Sequence, residues 1–230
     1  MPGAPPQRLG FRRISSPGLA KRLGPPRRSI ARETRAWGSS PRAVATVGKA
    51  ISISIILKGS RWYESGSGGE GLAKVLVMYY SKTGNTGKVA EAFADGLKRE
   101  KVEVTVKKVE DTKVNDLLAY DGIAIGSPTY YGQMAGKIKE FLDESIKVHD
   151  KLNGKVGAAF TSSGGYGSGG ETTVLSILNA MLVHGMIVQG DSKSKHYGAI
   201  VEQAPSEEDR SMVVEKGRQM GQLVKKLFPR

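Results

Sequence analysis

The sequence predicts an α/β protein in which a doubly wound, five-stranded parallel sheet follows a basic tail. From Leu72 onward, apolar strand-like segments alternate with amphipathic helix-like segments, which is the pattern of a parallel sheet covered by helices on both faces. The first 71 residues differ in composition, because they hold seven of the ten prolines and ten arginines. With 230 residues, 39% of them apolar, the chain is long enough for one domain with a buried core plus a tail. We therefore divide it into residues 1–71 and residues 72–230.

The strands are predicted from short apolar or alternating runs. The first (KVLVMYY), third (DGIAIGSP) and fourth (KVGAAFT) are almost continuously apolar, as expected for strands buried on both faces. The second (EVTVKK) alternates between polar and apolar residues, as expected at the edge of the sheet. The five predicted strands span residues 74–80, 103–108, 121–128, 155–161 and 186–189.

Four helices are predicted because apolar residues recur at spacings of three and four. They span residues 86–100, 135–148, 171–184 and 206–227. Each apolar stripe marks the face that we expect to pack on the sheet. In helix order, the predicted inward residues are Val89, Phe93, Gly96 and Leu97; Ile138, Phe141, Leu142 and Ile146; Leu175, Leu178, Met181 and Leu182; and Val213, Met220, Val224 and Leu227.

The formal net charge of +13 is concentrated in the tail. Residues 1–71 contain 13 Lys and Arg against three acidic residues, whereas residues 72–230 contain 22 against 19. A net charge of +3 does not indicate that the domain binds a polyanion, so we expect no nucleic-acid partner. No run of about eighteen apolar residues occurs, so we expect no membrane insertion.

The absence of cysteine restricts the chemistry of the protein. It excludes disulfides, thiolate-bound metals, iron–sulfur clusters and cysteine nucleophiles. The three histidines show no metal-ligand spacing, and we expect no bound metal. A cysteine-free chain is compatible with a reducing compartment, and we expect a cytoplasmic location.

The tail is open to three interpretations. Its composition, rich in Arg and Ser and poor in acids, fits an organelle transit segment, and its charge fits a nucleic-acid-binding arm. We favour a third: the natural chain begins at or near Leu72, because a leucine codon can serve as an alternative start. The tail sequence itself predicts disorder up to about Ala43, a lone strand at residues 50–57 and a flexible joint at residues 65–71.

The loop after the first strand, SKTGNT, predicts a phosphate-binding site. Ligands of such sheets bind at the carboxyl ends of the strands, where hydroxyl groups and the N–H groups of a first helical turn can hold a phosphate dianion. The sequence does not fit the Walker phosphate loop. The alternative is that the last threonine only caps the helix. The loop comprises Ser81, Lys82, Thr83, Gly84, Asn85 and Thr86.

Two further loops follow the third and fourth strands, at the same edge of the sheet. In the first of these, Tyr130 and Tyr131 can border a planar ring while Thr129 hydrogen-bonds its polar edge. The second, SSGGYGSGG, contains a GxGxxG pattern, but it does not follow the first strand as a dinucleotide fingerprint does. A glycine loop that folds over a flat ligand is the better interpretation. The alternatives are tyrosines that pack on the sheet rim and an inert linker.

These motifs resemble those of a known family. VMYYSKTGNTGKVAEAF resembles the FMN signature of flavodoxins, and residues 72–227 are similar to NAD(P)H:quinone oxidoreductases of the tryptophan-repressor-binding-protein type. LAKVLVMYYS, GSPTYYGQMAGKIKEFLDE, FTSSGGYGSGGETT, LVHGM, HYGAI and APSEED carry the similarity. The resemblance implies a flavodoxin-like fold with strand order 2-1-3-4-5, FMN as the cofactor, and a homodimer or homotetramer with the flavin near subunit boundaries.

The resemblance also implies which part of the cofactor each site residue would contact. The loop from Ser81 to Thr86 would hold the FMN phosphate, and the Thr129–Tyr131 segment would line the ribityl chain and the isoalloxazine. His184 would reach the flavin from a neighbouring subunit, although as a lone histidine at a helix end it is equally well interpreted as a C-terminal cap. The pyrimidine side of the flavin would contact Ser162, Ser163, Gly164 and Gly165.

The function implied by the resemblance is that of an FMN-dependent oxidoreductase. A hydride passes from NAD(P)H to FMN and then to a quinone-type acceptor, and no side chain is predicted to act as a catalytic acid or base. One alternative is a flavodoxin-type electron carrier without nicotinamide turnover. Such carriers are usually strongly acidic, whereas this domain is at +3. Another is a scaffold without redox turnover.

Overall fold

The computed structural model describes residues 71–230, in which strands and helices alternate as predicted. The tail predictions lie outside the described residues, and the start of the natural chain near Leu72 stays a prediction. The strands are β1 (Lys74–Tyr79), β2 (Glu103–Lys108), β3 (Gly122–Tyr130), β4 (Gln133–Met134), β5 (Val156–Ser163), β6 (Ile187–Val188) and β7 (Ala199–Glu202). The helices are α1 (Asn85–Arg99), α2 (Gly136–Glu144), α3 (Gly170–Val183) and α4 (Glu207–Leu227), with short 3₁₀ helices at Val109–Asp111, Val114–Ala119 and Ser145–Val148.

The sheet has the predicted order, with one correction at its far edge. The parallel strands run β2-β1-β3-β5, and the fifth position is shared by β6, which pairs with the start of β5, and β7, which pairs with its end. The sequence predicted a single fifth strand at residues 186–189. The chain instead leaves the sheet after Val188 and re-enters at Ala199. Counting β6 and β7 as one position, the order 2-1-3-4-5 is confirmed.

The alternation of side chains along β1 divides the core into two layers. Val75 and Val77 pack with residues of α1 and α4, whereas Leu76 and Met78 pack with residues of α2 and α3. All four side chains are fully buried, because successive residues of a strand point to opposite faces of the sheet. Helices therefore cover both faces, which confirms the doubly wound architecture.

The end of α2 differs from the prediction. The helix becomes a 3₁₀ helix after Glu144, and a 3₁₀ helix has three residues per turn instead of 3.6. Ser145 and Val148, three residues apart, therefore face inward. Ile146, predicted to be in the core, is 69% exposed.

The apolar stripe of α3 is also displaced from the prediction. Leu182 was predicted to face the sheet but is 58% exposed, and Leu175 is half-buried. The i, i+3, i+4, i+7 face that reaches the core is Val174, Ile177, Leu178 and Met181. Because α3 is apolar nearly all round, periodicity alone did not distinguish its inner face. The other predicted inward residues are buried or half-buried.

Helices α1 and α4 cross with their backbones in contact. A Cβ atom at Gly96 would lie 2.0 Å from the carbonyl oxygen of Val214, and one at Gly217 would lie 2.1 Å from that of Phe93. Only glycine permits this approach. The crossing fixes α1, whose N-terminus follows the SKTGNT loop.

None of the helices within residues 71–230 combines the length and the apolar composition needed to cross a bilayer. The cytoplasmic location stays a prediction.

We expect Gly217→Ala to lower the free energy of unfolding by about 1–3 kcal/mol, because overpacking a close contact costs roughly that much. The higher helix propensity of alanine, worth about 1 kcal/mol, offsets only part of this loss. Urea denaturation followed by circular dichroism measures the change. Gly136→Ala is the control, since its methyl group would meet no atom within 4 Å. Equal stability of Gly217→Ala and the wild type would contradict the prediction.

Candidate functional site

The three predicted loops lie together at the carboxyl edge of the sheet. They follow β1, β3 and β5, which are parallel neighbours. Thr86 Oγ1 and Ser162 Oγ, 76 residues apart in sequence, are hydrogen-bonded at 2.7 Å. Thr129 Oγ1 and Thr161 Oγ1, from β3 and β5, are hydrogen-bonded at 2.9 Å. The structure thus brings all the sequence-predicted loop residues to one edge.

The SKTGNT loop leads into α1, where three backbone N–H groups have no acceptor within the helix. Gly84, at φ +94°, is the N-cap residue, and its own N–H donates to Ser81 Oγ at 3.1 Å. The first helical hydrogen bond runs from Lys88 N to Gly84 O. The N–H groups of Asn85, Thr86 and Gly87 therefore have no intrahelical acceptor. With the positive end of the helix dipole, they can hold an anion.

Thr86 does not cap the helix, contrary to the alternative interpretation of the sequence. The cap position belongs to Gly84, which makes no side-chain cap, and Thr86 is the second residue of α1. Its side chain is buried and bonds Ser162. Two hydroxyl hydrogens are present in this pair and the bond between them uses one, so the other is available to donate.

The outer part of the loop is open to solvent. Lys82, Thr83 and Gly84 are exposed, and Ser81 and Asn85 are half-buried. A Cβ atom at Gly84 would meet nothing within 4 Å, so the space beside the loop is free. The loop contains no acidic residue. A phosphate dianion would therefore meet hydrogen-bond donors and no like charge.

Two buried hydroxyls that the sequence analysis missed fix the ends of β3 and β5. Thr161 Oγ1 donates to Ser127 O at 2.7 Å, and Ser127 Oγ accepts from Ala135 N at 2.8 Å. Both side chains are fully buried. Because the Thr161 hydrogen is used in this way, Thr129 is the donor to Thr161. The available signal was a hydroxyl residue late in each otherwise apolar strand.

The tyrosines sit on the β3–β4 hairpin. Tyr131 and Gly132, at φ +50° and +74°, form the two-residue turn between the paired residues Tyr130 and Gln133. Tyr131 is fully exposed and Tyr130 is 41% exposed, so Tyr131 does not pack on the sheet rim. Burial, followed by the charge of nearby Tyr80, raises the pKa of Tyr130. Its phenol stays neutral and can donate.

The glycine loop is attached to this hairpin. A Cβ atom at Gly169 would lie 2.5 Å from the Cα atom of Gly132, and Thr172 Oγ1 donates to Gly132 O at 2.6 Å. The end of the loop is therefore braced, which disfavours the inert-linker interpretation. At its start, Cβ atoms at Gly164 or Gly165 would meet nothing within 4 Å, so this backbone is open to a ligand.

His184 lies at the opposite end of the sheet. It is the C-cap residue of α3, next to the amino end of β5. Its Nε2 donates to Ser145 Oγ at 2.7 Å, since the Ser145 hydroxyl donates to Leu142 O. Burial, followed by the nearby His149, lowers the pKa of His184. Within one chain His184 does not join the loops, and its approach to a neighbouring subunit's flavin stays a prediction.

The fold and these loops agree with comparisons to known proteins. Residues 76–214 match the family model of the flavodoxin domain. The chain belongs to the flavodoxin family. A protein of Aquifex aeolicus named flavodoxin is 40% identical over 162 residues, covering 66% of this chain and 88% of that protein. An Archaeoglobus fulgidus protein named NAD(P)H dehydrogenase (quinone) is 33% identical over 190 residues, covering 68% and 100%.

Solved structures show the same fold. A flavodoxin from the domain Archaea superposes with a TM-score of 0.57 at 30% identity, covering 66% of this chain and 99% of that one. A flavodoxin described as WrbA-like, from Agrobacterium tumefaciens, gives a TM-score of 0.58 at 24% identity, covering 67% and 98%. The predicted flavodoxin-like fold is confirmed.

Proposed function

We propose that this flavodoxin domain binds FMN and transfers a hydride from NAD(P)H to a quinone-type acceptor. The observation that carries the proposal is the anion site at the N-terminus of α1, joined by the Thr86–Ser162 hydrogen bond to the loop after β5. The Archaeoglobus fulgidus relative, named NAD(P)H dehydrogenase (quinone), supports the reaction class.

The donors of the first loop suit the phosphate of FMN. The N–H groups of residues 85–87 have no acceptor within the helix. The same short loop carries the hydroxyl groups of Ser81, Thr83 and Thr86. Hydrogen bonds to a charged group are worth about 1.5–3 kcal/mol each, so a few of them suffice for tight binding. Lys82 adds a positive charge at the exposed side of the loop.

The other two loops suit the ring system and its linker. Thr129 and the neutral Tyr130 phenol offer hydrogen bonds, and the exposed Tyr131 ring offers an apolar border. Ser162 and Ser163 are buried, and the backbone of Gly164 and Gly165 is open beside them. When bound, FMN would accept the hydride and deliver it to the acceptor. The residues of the chain would bind and orient the FMN and shield one side of its ring.

A second candidate is an electron carrier of the flavodoxin type. The Aquifex aeolicus relative, at 40% identity, is named flavodoxin, and a carrier uses the same FMN site. The net charge of +3 over residues 72–230 favours the oxidoreductase, because carriers use acidic surfaces to dock cationic partners.

We propose further that the protein is a homodimer or homotetramer, through a face that we call the α2–α3 face. It comprises Ile146, Leu182 and Val183, which are 69%, 58% and 72% exposed, together with His184. A second copy of the chain would cover these exposed apolar side chains.

Reconstitution tests the function. We expect the purified protein to bind FMN, and NADH or NADPH to bleach the flavin absorbance, because the proposed site holds a hydride acceptor open to a nicotinamide. Benzoquinone should restore the absorbance. Binding of FMN without bleaching by either nicotinamide would leave the carrier and contradict the oxidoreductase. A protein that stays colourless would contradict both.

Removing two hydroxyls tests the phosphate site. We expect Ser81→Ala with Thr86→Ala to weaken FMN binding by about 1.5–3 kcal/mol for each charged hydrogen bond lost, measured by quenching of flavin fluorescence. Thr112→Ala is the control: it removes a buried hydroxyl, bonded to Lys108 O, away from the loops. Unchanged affinity in the double variant would refute the assignment.

Sedimentation velocity tests the assembly. We expect Val183→Lys to shift the protein to the monomer, because a desolvated ammonium group on the α2–α3 face disfavours association. The control is Val106→Lys, which adds the same charge at a 38% exposed position on β2, at the other edge of the sheet. A wild type that sediments as a monomer at micromolar concentration would contradict the proposal.

A further inference from the structure

The break between β6 and β7 is organised around one carboxylate. Asp191 Oδ2 accepts from Lys216 Nζ at 2.6 Å and from Gln219 Nε2 at 3.0 Å, both on α4. Asp191 Oδ1 accepts from Lys193 N at 2.7 Å. The hydrogen bond from Lys216 is the main reason that the pKa of Asp191 lies well below its usual range. The side chain of Asp191 thus ties residues 189–198 to α4.

The ion pair is sheltered from water. The side chains of Lys216 and Asp191 are 8% and 13% exposed. In most other ion pairs of the described residues both side chains are 38–91% exposed, so these pairs are screened by solvent. Lys216 Nζ also donates to Ser194 O at 2.6 Å. Its ammonium therefore bonds both the side chain of Asp191 and the backbone of the connecting loop.

The loop leads directly into the strand that supports the site. Gly198 precedes the start of β7, and a Cβ atom there would lie 2.3 Å from the carbonyl oxygen of Ala159. β7 then pairs with Phe160–Ser163, with Ser162 opposite Val201. Gln203 N donates to Ser163 O at 2.7 Å. β7 has four residues and pairs with β5 alone among the described strands. Ala199, Ile200 and Val201 are buried in the two core layers, and the loop adds a tether at the open edge of this short strand.

We propose that the Lys216–Asp191 pair is a positioning device for the FMN site: it holds β7 in register on β5 and thereby places Ser162 and Ser163. The proposal rests on the proposed FMN function. Residues 192–198 connect Asp191 to β7, and β7 pairs with Ser162 of β5. Ser162 is in turn hydrogen-bonded to Thr86 in the SKTGNT loop. Asp191 and Lys216 lie in residues 189–198 and on α4, outside the three site loops, and they act through the strand.

The test compares two variants that separate stability from positioning. Asp191→Asn leaves the buried ammonium of Lys216 without a charge partner, which is destabilising. The double variant Asp191→Asn with Lys216→Met removes that buried charge, so stability should recover in part, while the loop stays untied. We expect FMN to dissociate about tenfold more readily from both variants, because small misplacements of binding groups weaken binding strongly. Recovery of wild-type affinity in the double variant would overturn the proposal.

A matched ion pair on the same helix provides the control. Glu100, 13% exposed, accepts from Arg218 and Gln222 of α4 and ties that helix to the end of α1, without touching β7. We expect Glu100→Gln to lower the unfolding midpoint and leave FMN affinity unchanged. A loss of affinity equal to that of Asp191→Asn would assign both effects to general stability and overturn the proposal.

Amide hydrogen exchange in the FMN-free protein tests the pair independently of the cofactor. The amide of Gln203 and those of β7 should exchange at least several-fold faster in the double variant, and at the wild-type rate in Glu100→Gln. Unchanged exchange overturns the positioning role even if FMN binds. Faster exchange in a protein that binds no FMN would support the tether and refute the proposed function.

Discussion

The carboxyl edge of this sheet depends on the rule that a buried hydroxyl must find a hydrogen-bond partner. Thr86, Ser127, Thr161 and Ser162 are all buried among apolar strands. An unpaired polar group there costs about 1–3 kcal/mol. Each of the four is paired, and the pairs join different elements: Thr86 of α1 with Ser162 of β5, and Thr161 of β5 with the carbonyl of Ser127 in β3. The same bonds that satisfy these groups hold the loops of β1, β3 and β5 at fixed distances.

Close backbone contacts supply the second support of the edge. Gly217 seats α4 on α1, and Gly169 brings the glycine loop onto the hairpin at Gly132. In both places a side chain would have to displace backbone atoms, so the contact is specific to glycine. The glycine loop is thus held at its end, whereas its start has open space beside it. This arrangement pre-organises the site, which reduces the entropy that binding must overcome.

The regular part of the fold could be predicted because it depends on local pattern. The alternation in EVTVKK and the continuous apolar runs of β1, β3 and β5 follow from burial on one face or two, and the strand order agreed with the resemblance. Where local patterns were ambiguous, prediction failed. Ile146 is exposed because a 3₁₀ turn replaces the helix, and Leu182 is exposed because α3 is apolar on several sides. The division of the fifth strand had no periodic signal.

The sequence by itself determined the α/β class, the position of the SKTGNT loop after the first strand and the confinement of most positive charge to residues 1–71. These follow from composition and from neighbours a few residues apart. Only the tertiary structure decided that Thr86 bonds Ser162 instead of capping α1, that His184 lies away from the loops, and that Lys216 ties residues 189–198 to α4. Each of these contacts joins residues 25 to 76 positions apart. Its partner is selected by packing and by the need to pair buried polar groups, and a single sequence carries no record of that choice.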